Sequence, residues 1–170
     1  MKRFLFLFIV SLSFLSSFAQ EQKEERKNLL SVSFGYTFIP QGSALEEEEA
    51  DGIFIPSIGI DYFRRVHPRW EIGIMVDLEL GEYIISHKEL NRKNALAFIA
   101  IGSFGLTEHI NLFAGGGIEI EKHKNLGVIR LGTEYAFKLK KYWVISPGFF
   151  YDFKEGFDTW SLSISFGKEF

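Results

Sequence analysis

Cysteine is absent from this sequence, proline and methionine are rare, and the net charge is small. The 170 residues include no Cys, four Pro and two Met, and the formal net charge is −3. The lack of cysteine excludes a disulfide framework, thiolate chemistry and a lipoprotein-type acyl anchor. The mildly acidic charge makes nucleic acid a poor partner.

Long apolar runs are missing beyond the N-terminus, although a membrane-spanning helix needs about 20 apolar residues in succession. This absence argues against a helical membrane protein. The one such run, 4–14, follows two basic residues and precedes a small-x-small sequence that ends at Ala19. It predicts a secretory signal peptide over residues 1–19. Residues 20–28 carry charges of both signs and are predicted to be a solvated periplasmic segment.

Alternation of bulky apolar and small polar residues is the main pattern that the sequence does contain. In the last segment, the bulky residues would share one face of an extended strand, and Ser161, Ser163 and Ser165 would share the other. A soluble strand normally shows charge on its exposed face. Bulk on one face and small or polar side chains on the other are typical of a transmembrane barrel strand.

Eight segments with this alternation can be counted along the chain. They are 29–39, 54–63, 70–83, 95–106, 110–121, 126–138, 142–153 and 159–170. The count is even, as in bacterial single-chain barrels, so the predicted fold is all-β: an eight-stranded antiparallel up-and-down transmembrane β-barrel over residues 29–170. In the ambiguous fourth segment, Phe98 is predicted to point outward. Pro56 and Pro147 predict irregular pairing, because proline cannot donate to the ladder.

The connections predict the orientation of the barrel. Those after the second, fourth and sixth strands are short, whereas the others include the long segment 41–52. Short turns are periplasmic in such barrels, so we expect both termini in the periplasm and the longer loops outside. Aromatic residues near the two rims are expected to lie at the membrane interfaces. The predicted interfacial aromatics are Tyr36, Tyr62, Trp70, Trp143, Tyr151 and Trp160.

Charged residues share the predicted inner face of the barrel. They are Asp61, Asp77, Glu79, Glu119, Arg130, Glu134 and Asp152. An eight-stranded interior is just wide enough for side chains, which favours a packing network over the alternative, a proton or ion path. If Glu119 paired with Arg130, the fifth hairpin would centre on Lys124 and Asn125.

No residue pattern predicts catalysis, a metal or a cofactor. The four histidines have no zinc-site spacing, and Ser86 and His87, being adjacent, would point apart on a strand. The acidic run Glu46–Glu49 is predicted to be a mobile loop tip. The alternative is a divalent-cation site, although the run lacks the spaced ligands of a calcium loop.

The signal peptide, the eight strands and the terminal Phe170 resemble the small outer-membrane β-barrel family, which includes OmpX-type barrels and the transmembrane half of OmpA. The resemblance implies partners: outer-membrane lipid, periplasmic chaperones and the barrel-assembly machinery, which reads the last strand. The positions that match this assembly signal are Leu162, Ile164, Phe166 and Phe170. Lys168 departs from the pattern, since an aromatic or apolar residue is common there.

The function predicted from these observations is non-enzymatic: a structural or surface-interaction role through the extracellular loops, for a ligand that the sequence does not identify. One alternative is a lipid-modifying barrel enzyme. Another is a soluble lipocalin-like barrel, which would turn Trp160, Leu162 and Ile164 inward around an apolar ligand.

Overall fold

Eight long antiparallel strands make up most of the described structure. The computed structural model describes residues 26–40, 42–43, 52–85 and 90–170. The predicted signal peptide, the Glu46–Glu49 run and the Ser86–His87 pair lie outside these residues. The strands are β1 (Asn28–Ile39), β2 (Ile53–His67), β3 (Trp70–Glu79), β4 (Leu96–Gly105), β5 (Ile110–Ile120), β6 (Leu126–Tyr135), β7 (Trp143–Lys154) and β8 (Phe157–Glu169). Across the described part of the chain, no helix is long and apolar enough to span a membrane.

Pairing of the first strand with the last closes the sheet into a barrel. Each strand pairs with the next in sequence, and β8 pairs with β1 from Leu29 opposite Glu169 to Phe38 opposite Trp160. The predicted fold class is therefore confirmed.

The inner and outer faces of the strands are also as predicted. Ser33 and Ser165 are buried in the lumen, whereas Ile164 is exposed on the outer wall. In the ambiguous fourth strand, Ile99 is buried inside and Phe98 is exposed outside. The lumen is thus lined by small, polar and charged side chains, and the wall is covered by bulky apolar ones.

The two ends of the barrel differ in their connections. At one end, which we call the turn end, residues 68–69, 106–109 and 139–142 form short turns, and the beginning of β1 and the end of β8 lie there too. The opposite end, which we call the loop end, carries the connections 40–52, 80–95, 121–125 and 155–156.

A small sheet at the loop end corrects two predicted boundaries. The third strand was predicted to reach residue 83, and 86–94 was predicted to be loop. Instead β3 stops at Glu79, and Glu82–Ile85 pairs with both Leu90–Lys93 and Gly42–Ser43. Alternation continues through Tyr83 because these residues are extended, but they belong to a second sheet.

Both prolines coincide with interrupted pairing, as predicted. The Leu80 N–H donates to the Pro56 carbonyl at 2.7 Å, but Pro56 has no N–H to return, and β3 ends at this point. Beside Pro147 the β6–β7 ladder is interrupted. It resumes in the same register where the short strand Phe137–Lys138 pairs with β7.

The condition considered for the fifth hairpin, pairing of Glu119 with Arg130, does not hold. Glu119 lies opposite Leu126, and Arg130 lies opposite Gly115, so the two charged residues do not pair. The turn is tighter than predicted, and the Asn125 side chain accepts a hydrogen bond from the Glu121 N–H at 3.3 Å. The two registers differ by an even number of residues. For that reason the inward faces of both strands are the same in either register.

Two apolar clusters lie inside the barrel. Near its middle, Phe113 contacts Phe63 and Phe150 edge to face, with ring centroids 5.6 and 5.7 Å apart. At the loop end, Ile39, Ile55, Tyr83, Ile85, Leu126 and Phe157 form a buried cluster under the small sheet, which we call the cap cluster.

A close approach of backbones explains two of three successive glycines on β5. A Cβ at Gly117 would lie 1.8 Å from the Phe98 carbonyl oxygen, and a Cβ at Gly115 would lie 2.2 Å from that of Ala100. A Cβ at Gly116 would have an ordinary contact, 3.4 Å from the Val128 carbonyl oxygen.

We expect Gly117→Ala to lower the free energy of unfolding by about 1–3 kcal/mol, because the added methyl group forces β4 and β5 apart. Gly116→Ala is the matched control and should change it by less than about 0.5 kcal/mol. Urea unfolding in detergent, followed by tryptophan fluorescence, measures both. Equal effects at the two positions would contradict the close approach.

Candidate functional site in the barrel lumen

Arg130, on β6, forms the centre of a buried ionic cluster. Its Nε and Nη2 donate to the two carboxylate oxygens of Asp152 at 2.7 and 2.8 Å, and its Nη1 pairs with Asp77. The guanidinium also lies 5.5 Å from the ring centroid of Phe150. Such a two-pronged pair has fixed geometry as well as charge complementarity, so it orients β3, β6 and β7 relative to one another.

Lys154 and Arg92 form a second cluster closer to the loop end. The Lys154 Nζ lies 2.9 Å from Glu79 and 2.6 Å from Glu119. Arg92 is fully buried and pairs with Glu119, and it also donates to the carbonyl of Lys124. The small loop-end sheet is therefore attached to the barrel wall by a buried charge pair.

Tyr83, from the small sheet, adds a neutral donor to this second cluster. Its hydroxyl donates to Glu79 at 2.7 Å. Burial, together with the nearby Glu79 carboxylate, raises the pKa of Tyr83, so the phenol stays protonated and keeps donating.

All seven charged residues predicted to face the lumen lie on inward-facing positions of their strands. Arg130 brings Asp77 and Asp152 together, and Lys154 joins Glu79 to Glu119. Asp61 and Glu134 form no ion pair within the described residues. Asp61 is 1% exposed, and its Oδ1 has no hydrogen-bond partner among the described residues.

Three further lumen residues were not predicted from the sequence: Tyr83, Arg92 and Lys154. Lys154 has the same strand parity as Asp152, so extending the seventh strand by one residue would have found it. Arg92 has no such signal. It reaches the lumen because the strands Glu82–Ile85 and Leu90–Lys93 fold back over the barrel mouth.

These side chains fill much of the lumen, and two unequal cavities lie among the described residues. The central one, lined by Asp61, Asp77 and Arg130, has a volume of about 30 Å³, which is room for roughly one water molecule. At the turn end a vestibule of about 590 Å³ opens to solvent. Glu134 lines both cavities, and the cap cluster covers the loop end. The lumen is therefore a vestibule that is open at the turn end and closed further in by buried charged side chains. We call the ion-paired residues around Arg130 and Lys154 the plug.

The predicted interfacial aromatics lie on the outer wall. Tyr36, Tyr62, Trp70 and Trp143 are exposed, whereas Tyr151 and Trp160 are half-buried by their neighbours. Trp160 contacts Phe38, with ring centroids 5.0 Å apart, and Tyr151 donates to Asp158 at 3.1 Å. The four residues of the proposed assembly signal, Leu162, Ile164, Phe166 and Phe170, are exposed on the same wall.

Among the described residues, no group of three or more His, Asp or Glu is arranged to hold a metal ion. His109 contacts the Ala136 carbonyl at 3.2 Å, and His123 contacts Glu121 at 3.1 Å. Neither ring faces a serine hydroxyl in the described hydrogen bonds, and the barrel serines point into the lumen.

Comparisons with known proteins support the fold. No protein-family model matches the sequence, and no curated protein does. Among solved structures, Neisserial surface protein A (NspA) is 9% identical with a TM-score of 0.56, over 84% of this chain and 97% of its own. Ail, the attachment invasion locus protein of Yersinia pestis, is 12% identical with a TM-score of 0.53, over 86% and 100%. It has also been solved in complex with the heparin analogue sucrose octasulfate.

A third match is the outer membrane protein AlkL in lipid bilayers, 9% identical with a TM-score of 0.52, over 90% of this chain and 95% of its own. At these identities the likeness concerns the fold. The chain has the fold of the small outer-membrane β-barrels, as its resemblance to that family implied.

We expect Arg130→Met to lower the free energy of unfolding by about 3–5 kcal/mol, because it leaves Asp77 and Asp152 buried without their counter-charge. The triple variant Arg130→Met/Asp77→Asn/Asp152→Asn should recover most of that loss. The control, Arg69→Met, changes an exposed residue at the turn end. A single variant as stable as the wild type in urea would show that the plug does not need its cation.

Proposed function

We propose that this chain is an outer-membrane protein whose plugged barrel spans the bilayer and which acts at the cell surface through its loop end, in surface interaction or envelope structure. The apolar outer wall is the observation that carries the proposal. Side chains such as Ile60, Ile72, Ile129 and Leu162 are more than half exposed there, and they belong to four different strands. A soluble protein rarely exposes a continuous apolar surface of this size, whereas lipid covers it.

The plug supports a role outside the barrel. A pore needs a continuous polar path, but Arg130, Lys154 and the cap cluster occupy the lumen. The loops of a plugged barrel are then the parts that can meet a partner. Because the connection 40–52 carries Glu46–Glu49 in its sequence, electrostatic repulsion makes a polyanion a poor ligand for this end.

The two alternative functions receive less support. A lipocalin-like barrel would place Trp160, Leu162 and Ile164 around an internal ligand, but they lie on the outer wall, so that hypothesis is wrong. A lipid-modifying enzyme would need a serine, a histidine and an acid together on the outer wall. No such group occurs within the described residues.

The proposal includes the orientation and the route to the membrane. The predicted signal peptide directs the chain to the periplasm, and chaperones and the assembly machinery then recognise Leu162, Ile164, Phe166 and Phe170 on the exposed face of β8. The turn end remains in the periplasm, with both termini.

Cell fractionation combined with gel mobility tests the membrane location. We expect the protein in the outer-membrane fraction, with an unboiled band that migrates faster than the boiled one, since a closed barrel stays compact in detergent. A periplasmic protein with the same mobility before and after boiling would overturn the proposal.

Single cysteines test the orientation, because the chain has none of its own. Both Glu155, in the β7–β8 connection, and Glu108, in the β4–β5 turn, are exposed. In intact cells, a membrane-impermeant maleimide should label Glu155→Cys and leave Glu108→Cys unlabelled until the outer membrane is permeabilised. The reverse result would show that the loop end faces the periplasm.

A further inference from the structure

The turn end carries an excess of exposed positive charge. Seven exposed bases lie on or directly beside its strand ends and turns: Lys27, Arg64, Arg69, Lys138, Lys140, Lys141 and Lys168. Of the described acids at this end, Glu71 and Glu169 both pair with Arg65, and Glu108 alone is exposed. Among the described residues, most of these bases therefore have no acidic neighbour to neutralise them.

Two of these bases, Arg64 on β2 and Lys168 on β8, face outward across β1. Leu30 of β1 lies opposite both Tyr62 and Lys168, and Asn28 lies opposite Arg64. We call the outward-facing residues Asn28, Tyr62, Arg64 and Lys168 the basic wall patch. Adjacent strands are about 4.8 Å apart, and the two bases are offset by two residues along β1, so their Cα atoms flank β1 at roughly 12 Å. Side chains as long as those of arginine and lysine can span that separation to one small anion.

Hydrogen bonds hold the patch in place. The Tyr62 hydroxyl and the Arg64 Nη1 both donate to the Asn28 side-chain oxygen, at 2.9 and 3.2 Å. The Lys168 ammonium lies 5.6 Å from the ring centroid of Trp143. Neither base is paired with a carboxylate of the described residues, so each retains donors for a further ligand.

The apolar wall begins directly beside this patch. Val32, Ile60 and Phe166 are exposed on the same three strands, one step towards the middle of the barrel. A ligand that satisfies both surfaces has an anionic group at one end and apolar chains at the other. The tyrosine and tryptophan lie where such rings meet lipid headgroups.

We propose that the basic wall patch binds the phosphate of an anionic phospholipid in the leaflet at the turn end. This inference rests on the proposed membrane location. Arg64 supplies a forked guanidinium that matches phosphate oxygens, and Lys168 supplies a second positive charge. An anionic headgroup is favoured over a zwitterionic one, because the patch holds two bases and no acid that could meet an ammonium group.

Lipid retention in nanodiscs tests the proposal. Protein extracted from the outer membrane is placed in nanodiscs of mixed phosphatidylcholine and phosphatidylglycerol, and the lipids it keeps are identified by native mass spectrometry. We expect the wild type to retain phosphatidylglycerol with roughly tenfold preference. Arg64→Gln/Lys168→Gln should lose this preference.

The matched control is Arg69→Gln/Lys138→Gln, which removes the same charge at the same end from residues that line the vestibule. This variant should keep the preference. The proposal is overturned if the patch variant still selects phosphatidylglycerol, or if both variants lose the preference equally, since the attraction would then be diffuse. Loss of the preference on adding inorganic phosphate would assign the patch to free phosphate and overturn the lipid assignment.

The same samples separate this inference from the proposed function. Protein that enters nanodiscs and shows the mobility shift, but has no lipid preference, overturns the lipid site alone. Protein that does not enter nanodiscs overturns both.

Discussion

A strand in lipid has no water to satisfy its edges, so every backbone N–H and C=O must find a partner in a neighbouring strand. Here the β1–β8 ladder, from Leu29–Glu169 to Phe38–Trp160, supplies the last of those partners. Closure with eight strands fixes a narrow lumen, and a narrow lumen requires small side chains on the inward face. The serines of β8 and the glycines of β5 meet that requirement, since Gly115 and Gly117 lie where a methyl group would strike the next backbone.

The same narrowness determines what the inward charges can do. A buried carboxylate needs a counter-charge or hydrogen-bond donors, and the lumen contains more acids than bases. Arg130 and Lys154 therefore each join two acids from different strands, while Asp61 lines the small central cavity. Side chains arranged in this way connect the walls of the barrel and fill its cross-section. The same ion pairs thus both link the strands to one another and block the lumen.

The side of the barrel wall on which each side chain lies was predictable from the sequence, whereas its cross-strand partner was not. The reason is physical. Alternation is a property of each strand alone, so Ser161, Ser163 and Ser165 reveal their lumen side without knowledge of their neighbours. Register depends on two strands and a turn, and the parity of Glu119 and Arg130 is the same in the correct and the incorrect register. Neither alternation within a strand nor register between strands identifies Arg92 as a lumen residue. It enters the lumen through a tertiary contact with Glu119, which no periodicity in residues 80–95 encodes.

Charge is distributed along the barrel axis in a way that fits the proposed orientation. Exposed bases collect at the turn end, paired charges occupy the middle, and the loop-end connection 40–52 carries four successive glutamates in its sequence. Arg64 and Lys168 adjoin an apolar wall, so their positive charge meets headgroups at the membrane boundary. Arg69 and Lys138 line the vestibule and meet water. Equal charges at one end of the barrel thus have different partners. For Arg64 and Lys168 strand parity sets the outward side, whereas Arg69 lies in the turn 68–69.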